Sequence, residues 1–239
     1  MKSLAFAAVL AFQTLAQSTD GKVSIQLYYE SQCPYCRSLI TGSFANAFAH
    51  KDLLTMADIT LYPYGNAHEY ANGDSWIFSC QHGTSECEYN MIELCAQHYI
   101  PDPYMQFDFI DCIETLDTDK AYTRNIDTCV NTLGIDQATK DQIESCWDGP
   151  NSEQGIQWMH QVALTTAALN PPHEYVPWLV SNGAHNSIEQ NAITESLWDY
   201  VCLKYTGTNR SPDCPLQSEP VEVSKQVLNV SPKSDNFLQ

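Results

Sequence analysis

The sequence is short of positive charge. Its 11 Lys and Arg stand against 29 Asp and Glu, a formal net charge of −18 at pH 7. Nucleic acid and anionic membranes both select for Lys and Arg, so neither is expected as a partner. Long apolar runs are missing as well. Residues 4–12, LAFAAVLAF, fall far short of the ~20 residues that span a bilayer, so no membrane insertion is expected of the mature chain. A second CxxC is absent, which removes the usual other half of a zinc knuckle. The final residues, Asn236-Phe237-Leu238-Gln239, carry no KDEL-like retention signal. What remains is a globular composition: 44% hydrophobic residues over 239 positions can bury a core, which excludes wholesale disorder.

Ten cysteines are too few for a knottin-like scaffold and too many for an ordinary cytosolic chain. The compartment is read from the start of the chain. Lys2 precedes the short apolar run, and Thr14-Leu15-Ala16 supplies small residues for cleavage after Ala16. Residues 1–16 therefore read as a secretory signal peptide. That route is oxidising, so disulfides are expected. Asn209-Arg210-Ser211 and Asn229-Val230-Ser231 fit the N-glycosylation pattern, each followed by a Pro that is expected to lower its use.

The mature chain reads as a split α/β core with an insertion. Val23, Ile25, Leu27 and Tyr29 alternate on one face, a strand signal. Cys33-Pro34-Tyr35-Cys36 follows, then a helical pattern to about His50 through Leu39, Ile40, Phe44, Ala47 and Phe48. Pro34 suits the first turn of that helix, where its missing N–H costs nothing. Residues 57–64 predict a second strand closed by Gly65-Asn66, so residues 17–66 form the first part of the core. Residues 67–170 predict an insertion of mostly short helices. It holds six of the cysteines, and Cys95, Cys112, Cys129 and Cys146 recur every seventeen residues. The windows at Cys112 and Cys129 share several residue types, read as chance likeness between two amphipathic helices rather than as a repeat. The core resumes over residues 171–214. Residues 176–181 predict a strand, Asn182-Gly183 a tight turn, Ser187-Ile188 a short return strand, and residues 189–205 a helix. Residues 215–239 are polar, carry Pro220 and Pro232, and read as a tail or removable propeptide.

The chemistry concentrates at Cys33 and Cys36. A CxxC between a strand and a helix places the first thiol at the helix N-terminus, where free N–H groups and a partial positive charge stabilise a thiolate. Cys33 is expected at the cap and exposed, as the nucleophile. Cys36, one turn in, is expected to be more buried and to resolve the mixed disulfide. Arg37 reads as a solvated helix residue. Half of a zinc site and a purely structural bridge are the other readings of the motif. Val176-Pro177 opens an apolar strand, a place suited to a cis-proline, as in thioredoxin-like folds. The backbone of Val176 would then be free to pair with an extended substrate segment, while a trans Pro remains the other reading.

Residues 80–95 read CQHGTSECEYNMIELC. They match the signature C-Q-H-G-x2-E-C-x2-N-x4-C at every fixed position: Cys80, Gln81, His82, Gly83, Glu86, Cys87, Asn90 and Cys95. The chain thereby resembles the gamma-interferon-inducible lysosomal thiol reductase family. LYYESQCPYC, EYVPWLVSNG and CLKYTGTNRSPDCP resemble the family's active-site, cis-proline and late-cysteine regions. The resemblance implies a thioredoxin-like fold with a disulfide-rich helical insertion, and an enzyme that reduces protein disulfides in endosomes or lysosomes. It puts the redox pair at Cys33 and Cys36, and the signature on the helical insertion and not on that pair. Disulfide-bonded proteins are the implied substrates, with a small thiol as reductant, no cofactor, no metal and a monomeric chain. A lysosomal or secreted destination follows from the resemblance alone.

At a pH of about 5, only ~0.03% of an unperturbed thiol is ionised, so a reductase working there needs a depressed thiol at Cys33. His68, His82 and His173 are candidate helpers, each with a structural or surface role as the plainer reading; Gln81 and His82 are expected to organise the insertion. The eight remaining cysteines are read as four structural disulfides, among roughly a hundred possible connectivities. Cys202 with Cys214 is the most local pair. A secretory-pathway oxidase or isomerase using the same CxxC, and a non-catalytic disulfide-rich binding protein, are the competing functions.

Overall fold

The computed structural model describes residues 21–116, 121–149 and 152–215. The expected signal peptide, Asn229 and nearly all of the expected tail lie outside these residues. The first strand, β1 (Val23–Tyr29), buries Val23, Ile25, Leu27 and Tyr29, as their alternation requires. It pairs in parallel with β2 (Ala57–Pro63), Val23 opposite Ala57 and Tyr29 opposite Pro63. On its other side it pairs antiparallel with β5 (Trp178–Ser181), Leu27 opposite Leu179. The sheet order is β2-β1-β5, so β1 is central and its C-terminal end delivers the CxxC.

Between β1 and β2 run α1 (Pro34–Leu39), a π-helical turn (Ile40–Phe44), α2 (Ala45–Phe48) and α3 (Leu53–Met56). The helical pattern predicted to about His50 is present, with an extra residue accommodated at the π turn. Leu39, Ile40, Phe44 and Ala47 pack against the sheet, with Leu197, Tyr200 and Val201 beside them in the same core. The C-terminal helices are α9 (Ser187–Glu195) and α10 (Leu197–Lys204).

Three local expectations give way. The Asn182-Gly183 turn forms, with φ of 49° and 82°, a left-handed pair that Asn and Gly tolerate. No strand starts at Ser187, however: Asn186 Oδ1 accepts from Ile188 N at 2.8 Å and Glu189 N at 3.2 Å, capping a helix instead. The single helix over 189–205 is broken at Ser196, whose hydroxyl accepts from Asp199 N and starts α10. The insertion also opens on a β-hairpin, β3 (His68–Asn72) and β4 (Ser75–Ser79), where short helices were expected.

Five helices follow: α4 (Thr84–Tyr99), α5 (Pro103–Thr115), α6 (Tyr122–Leu133), α7 (Gln137–Asp148) and α8 (Ser152–Ala167). Two of them run 16 residues, longer than the short helices expected. They enclose a second core of Tyr89, Ile92, Phe109, Ile113, Ile126, Ile143 and Met159. Disulfides staple it: Cys95–Cys146 joins α4 to α7, and Cys112–Cys129 joins α5 to α6. Cys80–Cys87 ties the signature turn to the first turn of α4, and Cys202–Cys214 closes the C-terminal loop. The seventeen-residue spacing thus reflects crosslinks between helices.

Candidate active site

Cys33 is the N-cap of α1, and its carbonyl accepts from Arg37 N at 3.0 Å. Both Cys33 and Cys36 are free thiols. The expectation of an exposed Cys33 needs correction: it is 6% exposed and Cys36 0%, while Tyr35 between them is 76% exposed. The turn that carries Cys33 is covered because α4 grips it. Ser31 N donates to Asn90 Oδ1 at 2.9 Å, Ser31 Oγ donates to the Glu86 carbonyl, and Gln32 and Ser85 exchange side-chain hydrogen bonds. The signature lies on the insertion and not on the CxxC itself. The fold puts Glu86 and Asn90 directly behind it.

The two thiols are electrostatically unequal. A hydrogen bond from the Cys36 thiol is the largest influence on Cys33; burial opposes it, and the backbone N–H groups of Cys36 and Tyr35 and the charge of His82 add to it, leaving Cys33 at about 6. Burial drives Cys36 far above the ordinary thiol range, and its bond to Cys33 reinforces the shift. That division follows from a helix N-terminus that favours charge at the cap and a dry interior one turn further in.

His82, in the signature, reaches this site. Its Nδ1 pairs with Glu86 Oε2 and lies 3.6 Å from Glu30 Oε2. Burial works against its charged form, but the Glu86 bond and the charges of Glu86 and Glu30 raise its pKa on balance. Burial raises Glu30 to about 7, partly offset by the hydrogen bond from Asn66 N. Glu30, His82 and Glu86 each bring a ligand atom within 4.8 Å of the others, a spacing that could hold a metal ion. The pairing of His82 with both carboxylates accounts for the arrangement without one.

Beneath the pair lies a second group that the sequence reading did not single out. Tyr29 OH donates to Glu93 Oε2 at 2.5 Å. Glu114, on α5, lies 3.7 Å from Arg37 Nε, and Arg37 also donates to the Leu116 carbonyl at 2.5 Å. Arg37 is therefore anchored between α1 and α5 rather than solvated. Burial raises both Glu93 and Glu114, and the charge of Glu93 pushes Glu114 further up. A signal for Glu93 existed: Glu86, Asn90 and Glu93 fall at i, i+4 and i+7, a polar stripe on the buried face of α4. Glu30 and Glu114 had no such signal.

Other expected residues fall as follows. The Val176-Pro177 bond is cis, and Val176 precedes the first paired residue of β5, Trp178. A second cis bond, Asn170-Pro171, opens the same loop. Gln81 accepts from Asn66 Nδ2 at 2.8 Å, His173 Nε2 lies 3.2 Å from Asn66 Oδ1, and Gly83 enters α4 at φ 95°. His68 is exposed on β3. Asn209 is exposed, whereas Ser211 of the same glycosylation pattern is buried and donates to Asp52 Oδ2.

Known proteins resemble this chain in sequence and in fold. The family model described as gamma interferon inducible lysosomal thiol reductase (GILT) matches residues 24–133. A Carassius auratus gamma-interferon-inducible lysosomal thiol reductase is 39% identical over 190 residues, covering 77% of this chain and 69% of its own. An Arabidopsis thaliana gamma-interferon-responsive lysosomal thiol protein is 36% identical, covering 83% and 77%, and the Mus musculus reductase 33%, covering 80% and 71%. Chlamydia trachomatis DsbA superposes with a TM-score of 0.52 at 14% identity, over 82% of this chain and 96% of that one. MdbA of Actinomyces oris gives 0.52 at 10%, over 79% and 84%. These two likenesses carry the thioredoxin-like fold and nothing finer. The relatives' identity over most of both lengths decides the family: this chain belongs to the gamma interferon inducible lysosomal thiol reductases.

Proposed function

We propose that the protein reduces disulfides in other proteins, with Cys33 as the attacking thiolate and Cys36 as the resolving thiol. The observation that carries this reading is the placement of the pair: Cys33 caps the N-terminus of α1, which favours a thiolate, and Cys36, one turn in, is fully buried and held protonated. Cys33 attacks one sulfur of the target disulfide, and the other leaves as a thiolate that takes up a proton. Cys36 then loses its proton and attacks Cys33 Sγ, releasing the second substrate thiol. Two electrons and two protons have passed to the substrate, and the enzyme holds a Cys33–Cys36 disulfide. A small-molecule thiol must restore the dithiol.

Acidic surroundings suit this site. At a pH of about 5 roughly a tenth of Cys33 is thiolate, against ~0.03% for an unperturbed thiol. As pH falls through about 7, Glu30 loses its negative charge, which favours the thiolate, and the raised pKa of His82 favours a positive charge beside it. We therefore favour an endosomal or lysosomal setting over an extracellular one, reached through the secretory route, for a monomeric chain. Val176, ahead of the cis-proline, pairs with the extended substrate segment beside its cysteine.

The test is reduction of a disulfide-bonded protein at pH 5 and pH 7 by the wild type, Cys33→Ser and Cys36→Ser. Cys33→Ser should be inactive, and Cys36→Ser should accumulate mixed disulfides with substrate. Turnover that survives Cys33→Ser overturns the assignment.

A further inference from the structure

An open groove of about 680 Å³ is lined by residues 64–70, the last turn of α8 and His173. Ala67 and Ala163 form its buried floor, Tyr70 and Leu164 stand exposed along it, and His68 and His173 flank it. A smaller recess of about 400 Å³ shares Asn66 and His68 and extends to Cys80 and Gln81. Together they run from the signature turn to the last turn of α8.

Asn66 connects this groove to the chemistry. Its N–H donates to Glu30 Oε1 at 2.7 Å, its amide donates to Gln81, and its Oδ1 faces His173. The Glu30 backbone carbonyl accepts from Cys33 N at 3.3 Å, and His173 stands three residues ahead of Val176. Gly65 permits the approach. At φ 54°, it lies so close to Glu30 that a Cβ would come within 2.4 Å of Glu30 Cγ. The groove wall at Asn66 and His173 is therefore one hydrogen bond from Glu30, behind Cys33, and three residues ahead of Val176.

We propose that this groove docks the substrate polypeptide on one side of its target disulfide, and that its occupant is an extended, unfolded segment presenting an apolar side chain. The proposal rests on the reductase reading above. Continuity with the redox loop names the occupant: a protein substrate attacked at Cys33 must continue onto a neighbouring surface. An open trough with exposed Tyr70 and Leu164 and polar flanks matches a strand-like chain, which uses pockets for side chains and polar groups for its backbone. A second copy of this chain fits poorly, since two molecules of charge −18 repel.

The test compares two substrates with the mature chain and two variants, Leu164→Asp and Tyr70→Ser, both at exposed positions outside the redox loop. One substrate is an unfolded protein with its disulfides intact, the other 2-hydroxyethyl disulfide, which is too small to reach the groove from Cys33. Each variant should raise KM for the protein roughly five- to tenfold at unchanged kcat, and leave the small disulfide unaffected. Unchanged KM for the protein in both variants overturns the docking site, as does an equal loss on both substrates. A wild type that reduces neither substrate overturns the reductase reading itself.

Discussion

The backbone N–H of Ser31 donates to Asn90 Oδ1 at 2.9 Å, and both residues are buried. This bond joins the turn before Cys33 to the helix that carries the family signature. An insertion that looks separate in sequence thereby becomes the back wall of the proposed redox site. Asn90→Ala leaves the Ser31 N–H buried without its acceptor. A loss of about 1–3 kcal/mol in unfolding free energy is expected, together with slower reduction of protein disulfides. Unchanged stability by denaturant titration would show that the turn finds another partner.

His82→Gln removes a positive charge near Cys33 and leaves the thiols in place. Alkylation of Cys33 in the reduced protein at pH 5 should slow by roughly three- to tenfold, and the 240 nm thiolate transition should move to higher pH. An identical titration curve would remove His82 from the electrostatics of the site.

Stability should fall as pH rises from about 4.5 to 7. Glu30 has a folded pKa of about 7 against an ordinary 4.5, so the folded chain binds more protons than the unfolded chain in that window. Its contribution is complete below the unfolded value and is lost as pH passes the folded one, a change on the order of 3 kcal/mol. Glu93 and Glu114 shift in the same direction and add to the slope. Glu30→Gln should flatten the profile in thermal unfolding; a profile that rises toward neutrality would contradict the buried-acid account.

Legibility in the sequence depended on where each signal was stored. The alternation of Val23, Ile25, Leu27 and Tyr29, the CPYC run and the Asn182-Gly183 turn are local patterns, and each forms where it was read. The β3–β4 hairpin was missed because β3 is almost wholly exposed and lacks an alternating apolar face. The break at Ser196 was missed because the apolar phase continues across it, while a single hydroxyl decides the new helix start.

Removing disulfides should separate stability from activity. Cys95–Cys146 closes 51 residues, and its loss by paired Ala substitutions should cost about 4 kcal/mol. Cys80–Cys87 closes only 7, about 2 kcal/mol, but it holds the turn that presents His82. Its removal should therefore reduce the rate at pH 5 more than its stability effect suggests. Calorimetry and the protein-reduction assay on both double variants check this; equal rate losses would sink the distinction.

By itself the sequence determined the CxxC pair proposed for the chemistry, the strand and helix that present it, and the family resemblance, because those are written in neighbouring residues. Only the tertiary structure decided what surrounds the pair. Glu30, His82 and Glu86 meet, and Tyr29, Glu93, Glu114 and Arg37 form a buried group, from segments up to about eighty residues apart. Burial sets the charge of such groups, and burial is a property of packing that no local pattern records.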